Sequence, residues 1–165
     1  MKTTDKMRNM ASIYLLCGEK ILLLYRQGSR IVNNMWVASA GGHFEKDELN
    51  EPRFCALREL YEELSLGETA LDELNLRYIT LRNYNGEVRQ NYYFFADLKP
   101  EHADGLTSNE GMLRWFGLDE ISDLEMPFSA KFMIGHYLSI GRHTDCLYGG
   151  VSNGKSIVFT ELGEG

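Results

Sequence analysis

The sequence predicts a mixed α/β (α+β) fold, and three observations carry that prediction. Short apolar runs of β type occur in pairs around turn residues, once at 11–26 and once about Asn85-Gly86. Helical periodicity appears twice, at about 51–65 and again after Pro127. Hairpins with helices between and after them make a sheet covered by helices. At 165 residues the chain suits one domain, so 1–165 is read as a single domain with its core at about 10–140.

The elements follow in order. ASIYLLC (11–17) and KILLLYR (20–26) flank a turn containing Gly18 and read as a strand hairpin. A polar stretch then runs from Gln27 to Asn34, and MWVASAGG (35–42) reads as one short strand ending in the pair Gly41-Gly42. Asn50 suits an N-cap and Pro52 a first helical turn, so a helix is expected from about Glu51 to about Ser65. Within it Leu57, Leu60, Tyr61 and Leu64 follow the i, i+3, i+4, i+7 spacing of a core face, with Glu59, Glu62 and Glu63 opposite.

LNLRYITLRNY (74–84) and EVRQNYYFFADL (87–98) flank Asn85-Gly86, the strongest local signal for a type I′ hairpin, and Tyr92 to Phe95 alternate across its second arm. MLRWFGLDEI (112–121) reads as a strand running into a turn, and FSAKFMIGHYLSI (128–140) as an amphipathic helix ended by Gly141. The tail 142–165 is rich in glycine and polar residues apart from SIVFTEL, and has no assigned place.

A formal charge of −7 and a pI of about 5.1 argue against a surface for polymeric nucleic acid, which is bound by Lys and Arg on phosphates. A small phosphorylated substrate escorted by a divalent cation remains compatible. Cys17, Cys55 and Cys146 form an odd set without metal-ligand spacing, which favours reduced thiols and a cytoplasmic protein. The apolar run after the polar MKTTDKMRNM is broken at Gly18-Glu19-Lys20, so neither a signal peptide nor a membrane span is expected. His102, His136 and His143 lack partners at zinc-ligand spacing.

Crowded glutamates at helical spacing repel one another, and Arg58 relieves part of that by reaching Glu62 at i+4. They form either a solvated acidic face or a site where hard oxygen ligands gather a divalent cation. The surrounding residues favour the second. Gly42 and Glu48, then Arg58, Glu59, Leu60, Glu62, Glu63 and Leu66, resemble the G-x5-E-x7-R-E-U-x-E-E-x-G-U box of the Nudix (MutT-like) hydrolases, U being a bulky aliphatic residue. Two departures stand out: nine residues separate Glu48 from Arg58 instead of seven, and Ser65 replaces a glycine. The extra pair is expected to lengthen the loop around Leu49-Asn50, which puts the role of Glu48 in question.

Trp36, Glu110 and Trp115-Phe116 are also placed as in the branch that cleaves nucleoside triphosphates. The resemblance implies the Nudix fold, a mixed β-sheet sandwiched between α-helices. It implies Mg²⁺, with Mn²⁺ as an alternative, on Glu59, Glu62, Glu63 and the Gly42 carbonyl, with Glu110 as a further ligand or base. Arg58 would orient a glutamate, and the general base falls within the set Glu59, Glu62, Glu63 and Glu110. Arg26, Trp36, Glu45 and Tyr84 are candidates for substrate contact. Ser129 and Ala130 stand where base-reading acids of the oxidised-purine cleaners would be sought, so a preference for oxidised bases rests on the family alone.

The implied reaction splits a nucleoside triphosphate, oxidised or not, into monophosphate and pyrophosphate. A dinucleoside polyphosphate hydrolase is the alternative, with Tyr84 eighteen residues beyond Leu66, and a nucleotide-sensing module without catalysis is another. The partner is a small nucleotide; a homodimer is compatible with the sequence.

Overall fold

A computed structural model describes residues 6–28 and 34–165 of the chain, and its nine strands pair into one sheet with a helix on each side. β1 (Lys6–Cys17) and β2 (Lys20–Arg26) form the first hairpin, turning through Gly18 at φ 59. β3 (Met35–Val37) and β4 (Ala40–His43) precede helix α1 (Pro52–Leu64). β5 (Leu71–Tyr84) and β6 (Glu87–Leu98) make the second hairpin, whose turn residues Asn85 and Gly86 take φ 51 and 80, as a type I′ turn requires. β7 (Met112–Gly117), helix α2 (Phe128–Ser139), β8 (Tyr148–Ser152) and β9 (Ile157–Glu161) complete the chain. Residues 29–33 of the polar stretch expected at 27–34 lie outside the described residues.

The path across the sheet is β3-β2-β1-β6-β5-β8-β9, with β4 on β1 and β7 on β2. β1 runs parallel to β6 along most of its length, while its other edge is divided. Leu15 to Cys17 pair with β2, and Met10 to Ile13 pair with β4. The stretch 35–42 is therefore two strands on different partners and not the single strand expected. Ser39, fully buried between them, donates to the Leu22 carbonyl at 2.6 Å and accepts the Leu15 amide at 2.9 Å, satisfying backbone groups at the changeover.

Alternation along the strands fills two layers. Tyr14, Leu23, Tyr93 and Phe95 face α2 with Met133 and Ile134, while Ile13, Leu15, Leu22 and Phe94 face α1 with Cys55, Ala56 and Leu60. The sheet is thus buried on both sides, the sandwich that the sequence implied.

Three local expectations are corrected. Tyr61 is 66% exposed and Leu57 only half-buried, because small Cys55 and Ala56 let α1 approach the sheet on their side and roll Tyr61 outward. The same rotation buries Glu63, which does not share the open face of Glu62. Asn50 is not the N-cap; it takes φ 71 in the loop and Glu51 precedes the first helical residue, Pro52. At the other end Ser65 adopts the left-handed conformation, φ 56, with its amide on the Tyr61 carbonyl, so it does the work of the expected glycine at some steric cost.

The tail finds its place on the sheet. β8 pairs parallel with β5, from Tyr78↔Tyr148 to Leu81↔Val151, and β9 closes a hairpin on β8.

Candidate active site

The turn between β4 and α1 brings the glycine pair against the glutamates of the helix. Gly41 pairs with Ser12 of β1, where a side chain would meet the Ala11 carbonyl at 2.8 Å and the Ser12 Cα at 3.0 Å. Its amide donates to Glu63 Oε2 at 3.3 Å. At Gly42 a Cβ would fall 2.6 Å from Glu59 Cδ, so the missing side chain is the space that the Glu59 carboxylate occupies.

Arg58 organises the surrounding carboxylates. Its Nε and Nη2 fork onto Glu48 at 2.7 and 2.8 Å, Nη1 donates to Glu59 and Glu62 at 2.9 Å each, and Nη2 also reaches the His43 carbonyl at 3.1 Å. All of its N–H edges are thereby engaged within the protein. Glu48 is wholly buried, and the Arg58 hydrogen bonds hold its carboxyl below the usual carboxylate range. The same pairing with Glu48 raises Arg58 further above its already high value. The longer spacing before the helix thus leaves Glu48 in contact with Arg58, with the added length taken up at exposed Leu49 and at Asn50. Burial pushes the neighbouring Cys55 thiol up to about 12, with the Glu48 charge adding to it.

Glu63 is the most perturbed acid. Burial pushes its carboxyl up to about 8, the negative charges of Glu59 and then Glu110 add to this, and the Gly41 amide and Arg26 act against it. Glu110, in the loop before β7, is partly exposed and accepts Arg26 Nη2 at 3.3 Å. Arg26 Nε is buried without a hydrogen-bond partner.

Glu63 closes one end of a cleft of about 240 Å³ on the α2 side of the sheet. Arg26, Gly41, Gly42 and His43 line it, as do Ser129 and Ala130 at the start of α2. Burial, then the charge of Arg8, lowers the His43 imidazole. Trp36 packs between Tyr25 and Phe116, 4.9 and 4.7 Å centroid to centroid, in the layer beneath α2. Glu45 stands outside the cleft, 3.7 Å from Arg58 and with its amide on Glu48. Tyr84 is 42% exposed near the tip of the second hairpin, beneath Arg82 and Arg89.

Those two arginines, Arg8 and Asn91 also line the cleft, and sequence reasoning passed over all four. A signal existed for two of them: Arg82 and Arg89 stand equally far from the Asn85-Gly86 turn, which sets them opposite each other.

Among the described residues no three acidic, histidine or cysteine side chains stand in the arrangement of a metal site; Glu59 and Glu62 both accept from Arg58 Nη1. The donor set nevertheless fits a hard divalent cation. It consists of carboxylate oxygens, the donors such an ion takes; Glu63 is raised by burial and then by the charges of Glu59 and Glu110, and Gly42 opens space for the Glu59 carboxylate.

The NUDIX domain model matches residues 6–134. No curated protein matches the chain. Among solved structures, the mutator MutT protein from Bacillus halodurans superposes with a TM-score of 0.64 at 22% identity, covering 96% of this chain and 99% of that one. The ORF135 protein of E. coli gives 0.66 at 22% identity over 85% and 94%. A C. elegans Ap4A hydrolase gives 0.61 at 17% over 83% and 99%. At these identities the structures testify to the fold.

Proposed function

The chain belongs to the NUDIX family, and from that premise we propose that it hydrolyses a phosphoanhydride bond of a small nucleotide, with a nucleoside triphosphate giving monophosphate and pyrophosphate as the first reading. The observation that carries this is the placing of Glu63, a buried carboxyl that lines a cleft of about 240 Å³ with its oxygen on the Gly41 amide and Glu59 and Glu110 close enough to add their charge to it. A carboxylate so placed invites a cation. Mg²⁺, or Mn²⁺, would be held by Glu59, Glu62, Glu63, the Gly42 carbonyl and Glu110. When bound it supplies neutralisation of phosphoryl charge and acidification of a water.

The protein's own groups supply the rest. Arg58, fixed by buried Glu48, sets the positions of Glu59 and Glu62 and has no N–H edge left for substrate. A group within Glu59, Glu62, Glu63 and Glu110 accepts the proton of the attacking water. Arg26, lining the cleft with an unpartnered Nε, is the candidate to meet a phosphate; Trp36, Glu45 and Tyr84 do not line the cleft. The β8–β9 hairpin shares the sheet with the layers that carry the site, which supports one domain over 1–165. A cytoplasmic setting rests on the three unpaired cysteines; among the described residues no helix is long and apolar enough to cross a membrane.

The test is a panel of nucleoside triphosphates, 8-oxo-dGTP, diadenosine tetraphosphate and ADP-ribose with Mg²⁺, with products separated and Glu62→Gln and Glu63→Gln run alongside. Monophosphate plus pyrophosphate, lost in the variants and without metal, supports the reading. Nucleotide binding with no cleavage of any member makes a sensing module the better account.

A further inference from the structure

Three arginines stand in one row across the floor of the cleft. Arg8 of β1 is opposite Arg89 of β6, and Arg89 is opposite Arg82 of β5. All three line the space that Glu63 closes. Like charges directly opposite across strands destabilise a sheet, so an unoccupied row of this kind has a cost.

Among the described residues one carboxylate answers the three: Glu87 lies 3.6 Å from Arg8 Nη1 and 2.8 Å from Arg89 Nε. Arg82 has no carboxylate partner among the described residues. Its guanidinium lies 4.0 Å over the Phe128 ring and 4.5 Å over Tyr84, and Arg89 lies 4.8 Å over the same Tyr84 ring. A guanidinium stacked by its face keeps its in-plane N–H donors free for an anion. The rings therefore order Arg82 and Arg89 without neutralising them, in a protein whose formal charge is −7. Among the described residues Arg89 has only Nε engaged, on Glu87, while Arg8 donates Nε to His43 Nδ1 at 3.1 Å and sets Nη2 against His43 Nε2.

The row also stands at a definite distance from the acids. Gly41, whose amide holds Glu63, pairs with Ser12, and Arg8 is four residues away on the same strand, a rise of ~13 Å. That is room for a nucleoside or for several linked phosphates.

We propose that Arg8, Arg89 and Arg82 bind a second phosphoryl group of the substrate, remote from the bond that is cleaved. This rests on the phosphoanhydride reading above and narrows it to nucleotides with phosphate at both ends of the cleft. Two sources share that chemistry: a nucleotide with a further phosphate on its ribose, and a dinucleoside polyphosphate whose chain lies along the cleft. Tyr84 is then a positioning residue for Arg82 and Arg89.

Binding measured by calorimetry in chelator, where metal-dependent hydrolysis is silent, tests it with AMP, adenosine 3′,5′-bisphosphate and diadenosine tetraphosphate. At least one of the two larger ligands should bind about tenfold tighter than AMP, the gain of a charge-assisted contact, and which one does so identifies the source. Arg82→Gln and Arg89→Gln should bring that ligand down to the affinity of AMP, and Arg114→Gln, at an exposed position of β7 outside the cleft, should not. Glu87→Gln, which removes the one counter-charge, should widen the gain, a result that misfolding does not imitate. Equal binding of all three ligands, a gain that survives both arginine variants, or no response to Glu87→Gln overturns the proposal. Hydrolysis of triphosphates without any gain from a second phosphate would overturn the row and leave the hydrolase; the gain without hydrolysis of any substrate would do the reverse.

Discussion

Adjacent glycines at the head of the site should fail in different ways when each is replaced by alanine. At Gly41 the added methyl meets backbone, the Ala11 carbonyl at 2.8 Å and the Ser12 Cα at 3.0 Å, and neither moves without parting β4 from β1. Overpacking of this kind costs roughly 2 kcal/mol, which for a domain of this size lowers Tm by about 4 to 8 °C. At Gly42 the methyl would fall 2.6 Å from Glu59 Cδ, the far end of a flexible side chain. Glu59 can swing aside at little cost in stability, but it leaves its position by about an ångström, enough to lower kcat by ~100-fold if it is a ligand. Thermal melts and steady-state hydrolysis of both variants distinguish these outcomes. Gly42→Ala with normal activity, or with the same fall in Tm as Gly41→Ala, would refute the cradle.

Other perturbations follow from the same geometry. Glu48→Gln should cost about 2 kcal/mol in denaturant unfolding, below the usual loss for breaking a buried ion pair because Arg58 keeps Glu59 and Glu62; it should also lower activity by loosening both. Because the Glu63 carboxyl is raised in the folded state, the stability tied to its protonated form is fully present below about pH 4.5 and is lost as pH rises through about 8. In chelator, Glu63→Gln should therefore match the parent at pH 5 and exceed it at pH 8.5, a comparison read from denaturation midpoints. Ser65→Gly should stabilise by about 1 kcal/mol, since it relieves a left-handed non-glycine residue at a helix end; no gain in Tm would mean that Ser65 is unstrained.

Much of this architecture is local chemistry and could be read from the chain. Asn85-Gly86 names its turn because both residues must take positive φ, and the alternation from Tyr92 to Phe95 sorts that strand into two core layers. Periodicity gives every apolar residue equal weight, so it does not fix the rotation of α1 that leaves Tyr61 exposed. Which stripe faces the sheet was decided by small Cys55 and Ala56 and by the cleft that takes Glu63. The place of β8 depends on a parallel pairing with β5 across about seventy residues of chain, for which its own YGGVS carries no local signal; SIVFTEL is the next strand, β9. The Arg58-to-Glu62 contact was visible in i, i+4 spacing, but the Glu48 fork was not, because the lengthened loop hides where Glu48 returns to the helix. Arg8 joins Arg82 and Arg89 only through the β1–β6 register.

The most direct test of the central claim is ³¹P NMR of a nucleoside triphosphate incubated with the protein and Mg²⁺. The account predicts resonances of monophosphate and pyrophosphate that grow together, vanish with chelator, and are absent for Glu63→Gln at a pH where that variant is fully folded. Turnover that survives chelator or the loss of Glu63, or products of orthophosphate and diphosphate, would contradict it.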